Sequence, residues 1–434
     1  MQRKKDDKET PFERYDKCNN YRLSNLEWQN EGLNIFPDSQ PIFKGNFYEE
    51  EDSSKNRTYY WYLFYTNFIF RFKIEKGISE NFDLCKSDGF LKLFFPVISL
   101  VIDSSSKKNG VSLMFHQRSR TFFNEKEEEI RNCYYTLRKY CLSTTIQNSY
   151  EFSSIISFGS NSQLILGVEK NEKNPYAIKN YHYEKAKDKN QLIENIVNEI
   201  KIGNCLDHPN IIKFYQMFYS DSNIYLILEY VEGIELFNLI DSANPFTEEE
   251  TKKIIYKLIL ILKFIHSKNI IHRDLKPENI MISNKHDTES IKIVDLGLAT
   301  FINKDEKLSK ACGTPGYVAP EILNYEGYDQ KADIFSLGVI CFAFLTGTPL
   351  FKGNSILEIL KENKLCQIDY SNKRLQNISV HALNFLTNTL ERNPSKRISA
   401  KEAENHRWFK SENFNFEQGI SANIKKNWPR SGFM

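Results

Sequence analysis

The chain has 434 residues, with 58 Lys+Arg against 56 Asp+Glu and a formal net charge of +2 at pH 7. Hydrophobic residues make up 41% and aromatics 14%, which is enough apolar volume to bury a core and to exclude wholesale disorder. The near-neutral balance excludes a nucleic-acid binder that works by bulk charge. Eight scattered cysteines with no C-x-x-C pair suit buried thiols in a reducing compartment better than a disulfide frame. No apolar run reaches the ~18 residues of a bilayer span. The start, MQRKKDDKET, lacks the apolar core of a secretory signal. A soluble, cytoplasmic chain is expected.

In chain order, residues 1–37 are polar and Asn-rich and read as a flexible arm. Residues 38–142 change character. Tyr59–Phe72, Phe90–Ile102 and Val111–His116 are aromatic and β-branched and read as strands. Glu125–Leu142 opens acidic and ends basic, as a helix dipole favours. It sets Ile130, Tyr134, Leu137 and Cys141 on one face. Residues 38–142 are thus an α+β module, and Ser143–Ser149 reads as a linker. From 150 to 232 strand-like runs (Asn174–Lys179, Ile224–Tyr230) flank a helical pattern at Gln191–Leu206. Thr247 with Glu250 predicts a capping box ahead of the Ile254, Leu258, Ile261, Ile265 stripe. Helices dominate from there to Phe409, and residues 410–434 form a polar tail.

Ile271–Asn279 reads IHRDLKPEN, and Asp295 follows in IVDLG. This run resembles the catalytic loop of protein kinases, with Asp295-Leu296-Gly297 similar to their metal-binding D-F-G. ACGTPGYVAPE (Ala311–Glu321) is similar to the end of the family's activation segment. Arg397, in NPSKRIS, matches the arginine that pairs with the segment's glutamate, here Glu321. Asp333, in ADIFSLGV, matches the aspartate that anchors the catalytic loop. The resemblance covers about 150–409. It implies a bilobal fold, with a β-rich N-lobe and a helical C-lobe, and ATP with Mg²⁺ as cofactors.

Phosphoryl transfer is mostly positioning and charge neutralisation, and the resemblance assigns residues to both tasks. Asp274 accepts the proton of the substrate hydroxyl, and Lys276 faces the γ-phosphate. Asn279 and Asp295 supply hard oxygen ligands for Mg²⁺. In YAIK (Tyr176–Lys179), Lys179 holds the α/β-phosphates, and Glu199 on the next helix is its partner. LILEYV (Leu226–Val231) resembles the hinge. Backbone groups of Glu229 and Val231 read the adenine edge there, with Leu228 as gatekeeper. Leu164, Ala177 and Met281 enclose the ring.

H-R-D-L-K-P-E-N and Thr314 point to Ser/Thr specificity, and CGTPGYVAPE looks most like the calcium/calmodulin-dependent kinase group. In that group, acidic residues matching Glu235 and Glu278 favour a basic residue upstream of the target. Two departures stand out. Ile156–Leu164 reads ISFGSNSQL, so Gly159 alone remains of the family's glycine-rich loop, with Ser157 and Ser162 in the other glycine positions. Lys310 stands where relatives carry a phosphorylatable Thr. Ser309 is one residue off register, and Arg273 loses its usual phosphate partner. The degraded loop favours the rival reading, a weakly active or inactive nucleotide-binding scaffold. The retained Lys179, Glu199, Asp274, Asn279 and Asp295 favour an enzyme. A P-loop NTPase is excluded, because no G-x-x-x-x-G-K-[ST] is present.

Residues 38–142 resemble a pleckstrin-homology domain, a β-barrel with a C-terminal helix. This implies a phosphoinositide or protein partner and a peripheral membrane location. Lys44, Lys55, Arg57 and Arg71 are the candidate contacts, although the first turn is acidic before it is basic (EEEDSSKNR). Ile424, Trp428 and Phe433 among basic residues fit a calmodulin target, but Pro429 breaks a helix there, so a solvated tail is the expectation.

Overall fold

The computed structural model describes residues 43–50, 57–64, 68–73, 89–92, 97–103, 108–115, 118–138, 141–143 and 145–410, apart from 160–161, 221, 242, 244, 284–287 and 304–305. The expected arm, Lys55 and the tail beyond Lys410 lie outside the described residues. The described chain divides into two compact units. Residues up to Glu194 with Phe214–Tyr230 make one, and Asn195–Lys213 with the residues from Val231 make the other.

The first unit is built on strands. Its first seven are β1 (Phe43–Glu50), β2 (Arg57–Phe64), β3 (Phe68–Lys73), β4 (Gly89–Lys92), β5 (Val97–Asp103), β6 (Lys108–Phe115) and β7 (Arg118–Asn124). Helix α1 (Glu127–Leu137) follows. Two expected strands are each divided. The aromatic run Tyr59–Phe72 spans β2 and β3, an antiparallel pair, and Phe90–Ile102 spans β4 and β5. The second break contains Pro96, which cannot donate in a ladder, while the first carries neither Gly nor Pro, so only the length of the run signals it. α1 buries Ile130, Cys133 and Leu137 and packs against β1, β5, β6 and β7, whose Phe47, Ile98, Val111, Leu113 and Phe122 are buried. The helix ends earlier than its charge pattern predicts, so Cys141 is buried but lies past its end.

The stretch expected as a linker is structured. β8 (Leu142–Ser143) runs parallel to β5 on one side and to β12 (Phe214–Tyr219) on the other. Gln216 Nε2 donates to Ser143 Oγ (2.7 Å) in a buried bond. The turn α2 (Ile146–Ser149) sinks Ile146 into a core with Tyr150, Ile165, Ile178, Phe218, Tyr225 and Ile227. Tyr150 meets Tyr176 and Phe218 edge-on, at 5.5 and 5.8 Å between ring centroids. An edge strand such as β12 would otherwise offer unpaired N–H and C=O groups. β8 satisfies them and makes one continuous sheet, in the order β4-β3-β2-β1-β7-β6-β5-β8-β12-β13-β11-β10-β9. Its remaining strands are β9 (Tyr150–Phe158), β10 (Ser162–Glu169), β11 (Pro175–Tyr181) and β13 (Ile224–Glu229). Helix α3 (Lys189–Cys205) follows β11 in sequence.

The second unit is helical. α4 (Glu248–Ser267) starts with the capping box its sequence predicts. The Thr247 side chain accepts from Glu250 N, and the Glu250 side chain accepts from Thr247 N. α5 (Lys331–Thr346) is buried at every position from Ala332 to Thr346, as expected of a helix apolar on all sides. Gly338 lets α7 (Val380–Thr389) approach closely, since a Cβ there would sit 2.7 Å from Thr389 Oγ1. Between them lies α6 (Ile356–Leu365), and α8 (Ala400–Glu404) begins at a second capping box, Ser399 with Glu402. Among the described residues, no helix is long and apolar enough to cross a membrane.

Candidate active site

In the sheet unit, β10 lies between β9 and β11. Ser157, Leu164 and Lys179 stand in one row across the three strands. Ala177, two residues along from Lys179, is paired with Leu228 of β13, and residues two apart in a strand share a face. This face therefore carries the side chains expected around a nucleotide. Ala177 and Leu228 are buried, Leu164 and Glu229 are half-buried, and Ile156 and Ser157 are exposed. Lys179 Nζ lies 5.5 Å from the centre of the Tyr181 ring. Gly159 N donates to Ser162 O (2.8 Å). A Cβ on Gly159 would come within 2.9 Å of Ser162 Oγ, a contact that the short serine side chain can relieve by rotating.

In the helical unit the catalytic loop hangs from a buried carboxylate. Asp333, 1% exposed, accepts from His272 N and Arg273 N (both 2.9 Å). His266 Nε2 donates to Asp333 Oδ2 (2.8 Å), the same oxygen that takes His272 N. Burial alone would raise this carboxyl. The bonds from His266 and His272, with the charge they bring, overcome it and hold Asp333 below the usual carboxylate range. Arg273 takes a left-handed backbone conformation (φ +68°), a strained state that persists only where its surroundings enforce it.

From this anchor the loop presents its functional side chains. Asp274 Oδ1 accepts from Thr314 Oγ1 (2.6 Å). Lys276 Nζ donates to the same hydroxyl oxygen (2.8 Å) and lies 3.3 Å from Asp274 Oδ2. Asn279 Nδ2 donates to Asp274 O (2.8 Å) and Oδ2 (3.1 Å). Its amide nitrogen is thereby committed, and its oxygen is left as an acceptor. Asp295 Oδ1 accepts from Gly297 N (3.0 Å). An amide oxygen and a carboxylate are the hard donors that Mg²⁺ takes alongside phosphate oxygens, so Asn279 and Asp295 fit that ion.

The segment's end is tied down by Arg397 and Glu321, which form a two-pronged pair (2.6 and 2.9 Å), each almost wholly buried. Arg397 Nε also donates to Glu391 O (2.9 Å), so the pair is satisfied as a buried ion pair must be. Glu235 lies within electrostatic reach of Glu278. Burial first, and then the Glu278 charge, raise the Glu235 carboxyl, with Lys276 opposing. Glu278 Oε2 is buried with no hydrogen-bond partner. Glu199 is buried in α3, Val231 and Met281 are half-buried, and Ser309 is exposed. Three polar residues of the site escape the sequence reading: His266, Tyr328 and Asn363. Each sits in a helix or loop among ordinary polar neighbours, and no spacing signals it.

A sheet unit bearing Lys179 in this register, and a helical unit bearing this loop, are the marks of a protein kinase. The chain belongs to that family: the family described as "Protein kinase domain" matches residues 150–409, and the two units fit its β-sheet N-lobe and helical C-lobe. Among its relatives, "Probable serine/threonine-protein kinase 2" of Plasmodium falciparum is 36% identical over 295 residues, covering 68% of this chain and 56% of the relative. "Myosin light chain kinase A" of Dictyostelium discoideum is 36% identical over 272 residues, covering 63% of this chain and 92% of the relative. The chain thus spans little more than half the length of the first of them.

Asp333→Asn should cost about 3–5 kcal/mol of stability, because the histidine and two backbone donors then face a neutral amide. The wild-type carboxyl is depressed in the folded state. Its contribution is therefore complete above the ordinary carboxylate value of about 3.9 and is lost only as pH falls through the lower folded value. Urea unfolding of both proteins between pH 3 and pH 8 measures this. Equal stability at neutral pH would contradict it.

Proposed function

We propose that the chain is an ATP- and Mg²⁺-dependent protein serine/threonine kinase that favours substrates with a basic residue upstream of the target. The triangle of Asp274, Thr314 and Lys276 carries this reading. It sets a carboxylate to accept a hydroxyl proton, with an ammonium beside it to neutralise transferring phosphate. Asn279 and Asp295 would hold Mg²⁺, which would supply charge neutralisation of the phosphates, and Lys179 would grip the α/β-phosphates. Val231, Glu229 and Leu228 would read and enclose the adenine, with Leu164, Ala177 and Met281. Thr314 occupies the space beside Asp274 with a small side chain, which suits a short Ser or Thr hydroxyl.

The preference for basic peptides rests on Glu235 and Glu278. Two neighbouring carboxylates, one raised by burial and by its neighbour's charge and the other with an unpaired buried oxygen, are matched by an arginine or lysine side chain. Similarity to the calcium/calmodulin-dependent kinase group supports the same preference.

The first module is proposed as pleckstrin-homology-like. An antiparallel order β4-β3-β2-β1-β7-β6-β5 capped by one helix supports it. Its proposed partner is a phosphoinositide headgroup or a protein, consistent with a cytoplasmic, peripherally bound enzyme. Liposome flotation with and without phosphoinositides separates the two partners, and floating that ignores the lipid would exclude the headgroup.

The enzymatic reading is tested by γ-phosphate transfer from ATP·Mg²⁺ to an Arg-containing Ser peptide, using the full chain. Asp274→Asn should lower kcat by about 10²–10⁴-fold. Glu235→Gln with Glu278→Gln should lower kcat/KM for the Arg peptide by about tenfold or more, and leave a peptide with Gln in its place unaffected. Because the Glu235 carboxyl is raised, the Arg preference should fade as pH drops, before an ordinary glutamate would protonate. Nucleotide binding without transfer in wild type would favour the scaffold reading instead.

A further inference from the structure

The segment between the D-L-G turn and Glu321 bears the substrate-facing Thr314, so its placement decides whether the site works. In many switches a phosphate orders such a segment by recruiting an arginine. Here the described part of the segment is tied down by hydrogen bonds to Tyr328 and Asn363.

Its first half is clasped to the loop before α5. Leu308 and Tyr328 exchange backbone bonds, Leu308 N to Tyr328 O (2.9 Å) and Tyr328 N to Leu308 O (3.0 Å). The Tyr328 hydroxyl donates to Lys310 O (2.7 Å), and Cys312 Sγ lies 3.7 Å from it. Tyr328 is 1% exposed, and burial pushes its phenol up to about 12, so it stays a donor at working pH. Lys307 pairs with Asp329 beside it. Arg273 is also committed: Nε donates to Leu298 O (2.6 Å), and Nη1 reaches the Tyr328 hydroxyl at 3.5 Å.

The second half is clasped to α6. Asn363, wholly buried, bridges the chain with both ends of its amide. Oδ1 accepts from Gly316 N (3.0 Å), and Nδ2 donates to Val318 O (2.8 Å). Gly316 sits at φ +92°, a conformation a side chain rarely adopts, so the amide meets a backbone already shaped for it. Between the clasps, Gly313 (φ +113°) passes so close to the catalytic loop that a Cβ would lie 2.9 Å from Arg273 O. A displacement of either half would therefore pull Thr314 from Asp274.

We propose that Tyr328 and Asn363 are positioning residues that hold Leu308–Val318 in its working arrangement through uncharged hydrogen bonds, so that transfer requires no phosphate on this segment. The proposal rests on the kinase reading above. Tyr328 acts at the level of the Lys310 carbonyl, and Asn363 at the loop that follows Thr314. Neither touches the reacting atoms. Ser309, exposed between Leu308 and Lys310, is outside both clasps.

The test uses the full chain in five forms: untreated wild type, phosphatase-treated wild type, Ser309→Ala, Tyr328→Phe and Asn363→Asp. The readouts are peptide kcat/KM, ATP KM, and amide exchange across Leu308–Val318, with α5 as internal reference. Treated wild type and Ser309→Ala should transfer at the untreated rate. Tyr328→Phe and Asn363→Asp should each lose about fivefold or more in peptide kcat/KM, the worth of one or two hydrogen bonds. ATP KM should hold, and exchange should quicken by a similar factor in the segment but not in α5. Loss of activity on phosphatase treatment would overturn the proposal. So would wild-type exchange and kinetics in both variants. Absence of transfer from wild type in every state would refute the kinase reading, and segment exchange would then judge the clasps separately.

Discussion

One buried carboxylate organises the helical unit. Asp333 lies on the most buried helix of the unit, where an unpaired charge would be ruinous. It is stabilised by taking two backbone N–H groups of the catalytic loop and the ring of His266. Those bonds bend the loop through the strained conformation at Arg273 and bring Asp274 out beside Thr314. The cost of leaving Asp333 unsatisfied is therefore what keeps the loop in place. The Arg397–Glu321 pair plays a similar part at the end of the segment: five donors in a fixed plane meet a carboxylate and backbone carbonyls, with Phe335 packed 5.0 Å from the guanidinium.

Much of this was legible in the sequence, for a physical reason. Asp274, Lys276 and Asn279 must lie within one loop to converge on one phosphate, so they are compressed into a contiguous run. Asp333, Glu321 and Arg397 sit in short, distinctive runs of their own. The capping box at Thr247 was equally plain, because Thr and Glu three apart satisfy each other's backbone. What stayed hidden is long-range and solitary. His266 bonds the Asp333 carboxylate, Tyr328 the Lys310 carbonyl and Asn363 the Val318 carbonyl, partners far away in sequence that nothing adjacent betrays. The strand break between Phe64 and Phe68 was missed because aromatic residues continue on both sides with no glycine or proline to mark it.

The linker was misread for a related reason. Ser143–Ser149 is polar by composition, yet its backbone fills the edge of a sheet and Ile146 fills a core. A two-residue strand has no periodicity to detect, and its partners β5 and β12 lie far from it along the chain. The consequence is architectural: the first module and the sheet that carries Lys179 share one hydrogen-bonded network. The serine-rich turn around Gly159 follows a similar logic. Gly159 N still bonds to Ser162 O, so the turn closes with serine where the family has glycine.

The central claim is that Asp274, Thr314 and Lys276 form a working site for a short hydroxyl. Its most direct test offers the purified full chain ATP·Mg²⁺ with an equimolar pair of Arg-containing peptides that differ only in one Ser or one Tyr. The phosphorylated products are then identified by mass spectrometry. The account predicts phosphate on the serine peptide alone. Phosphotyrosine, or no product despite bound nucleotide, would contradict it.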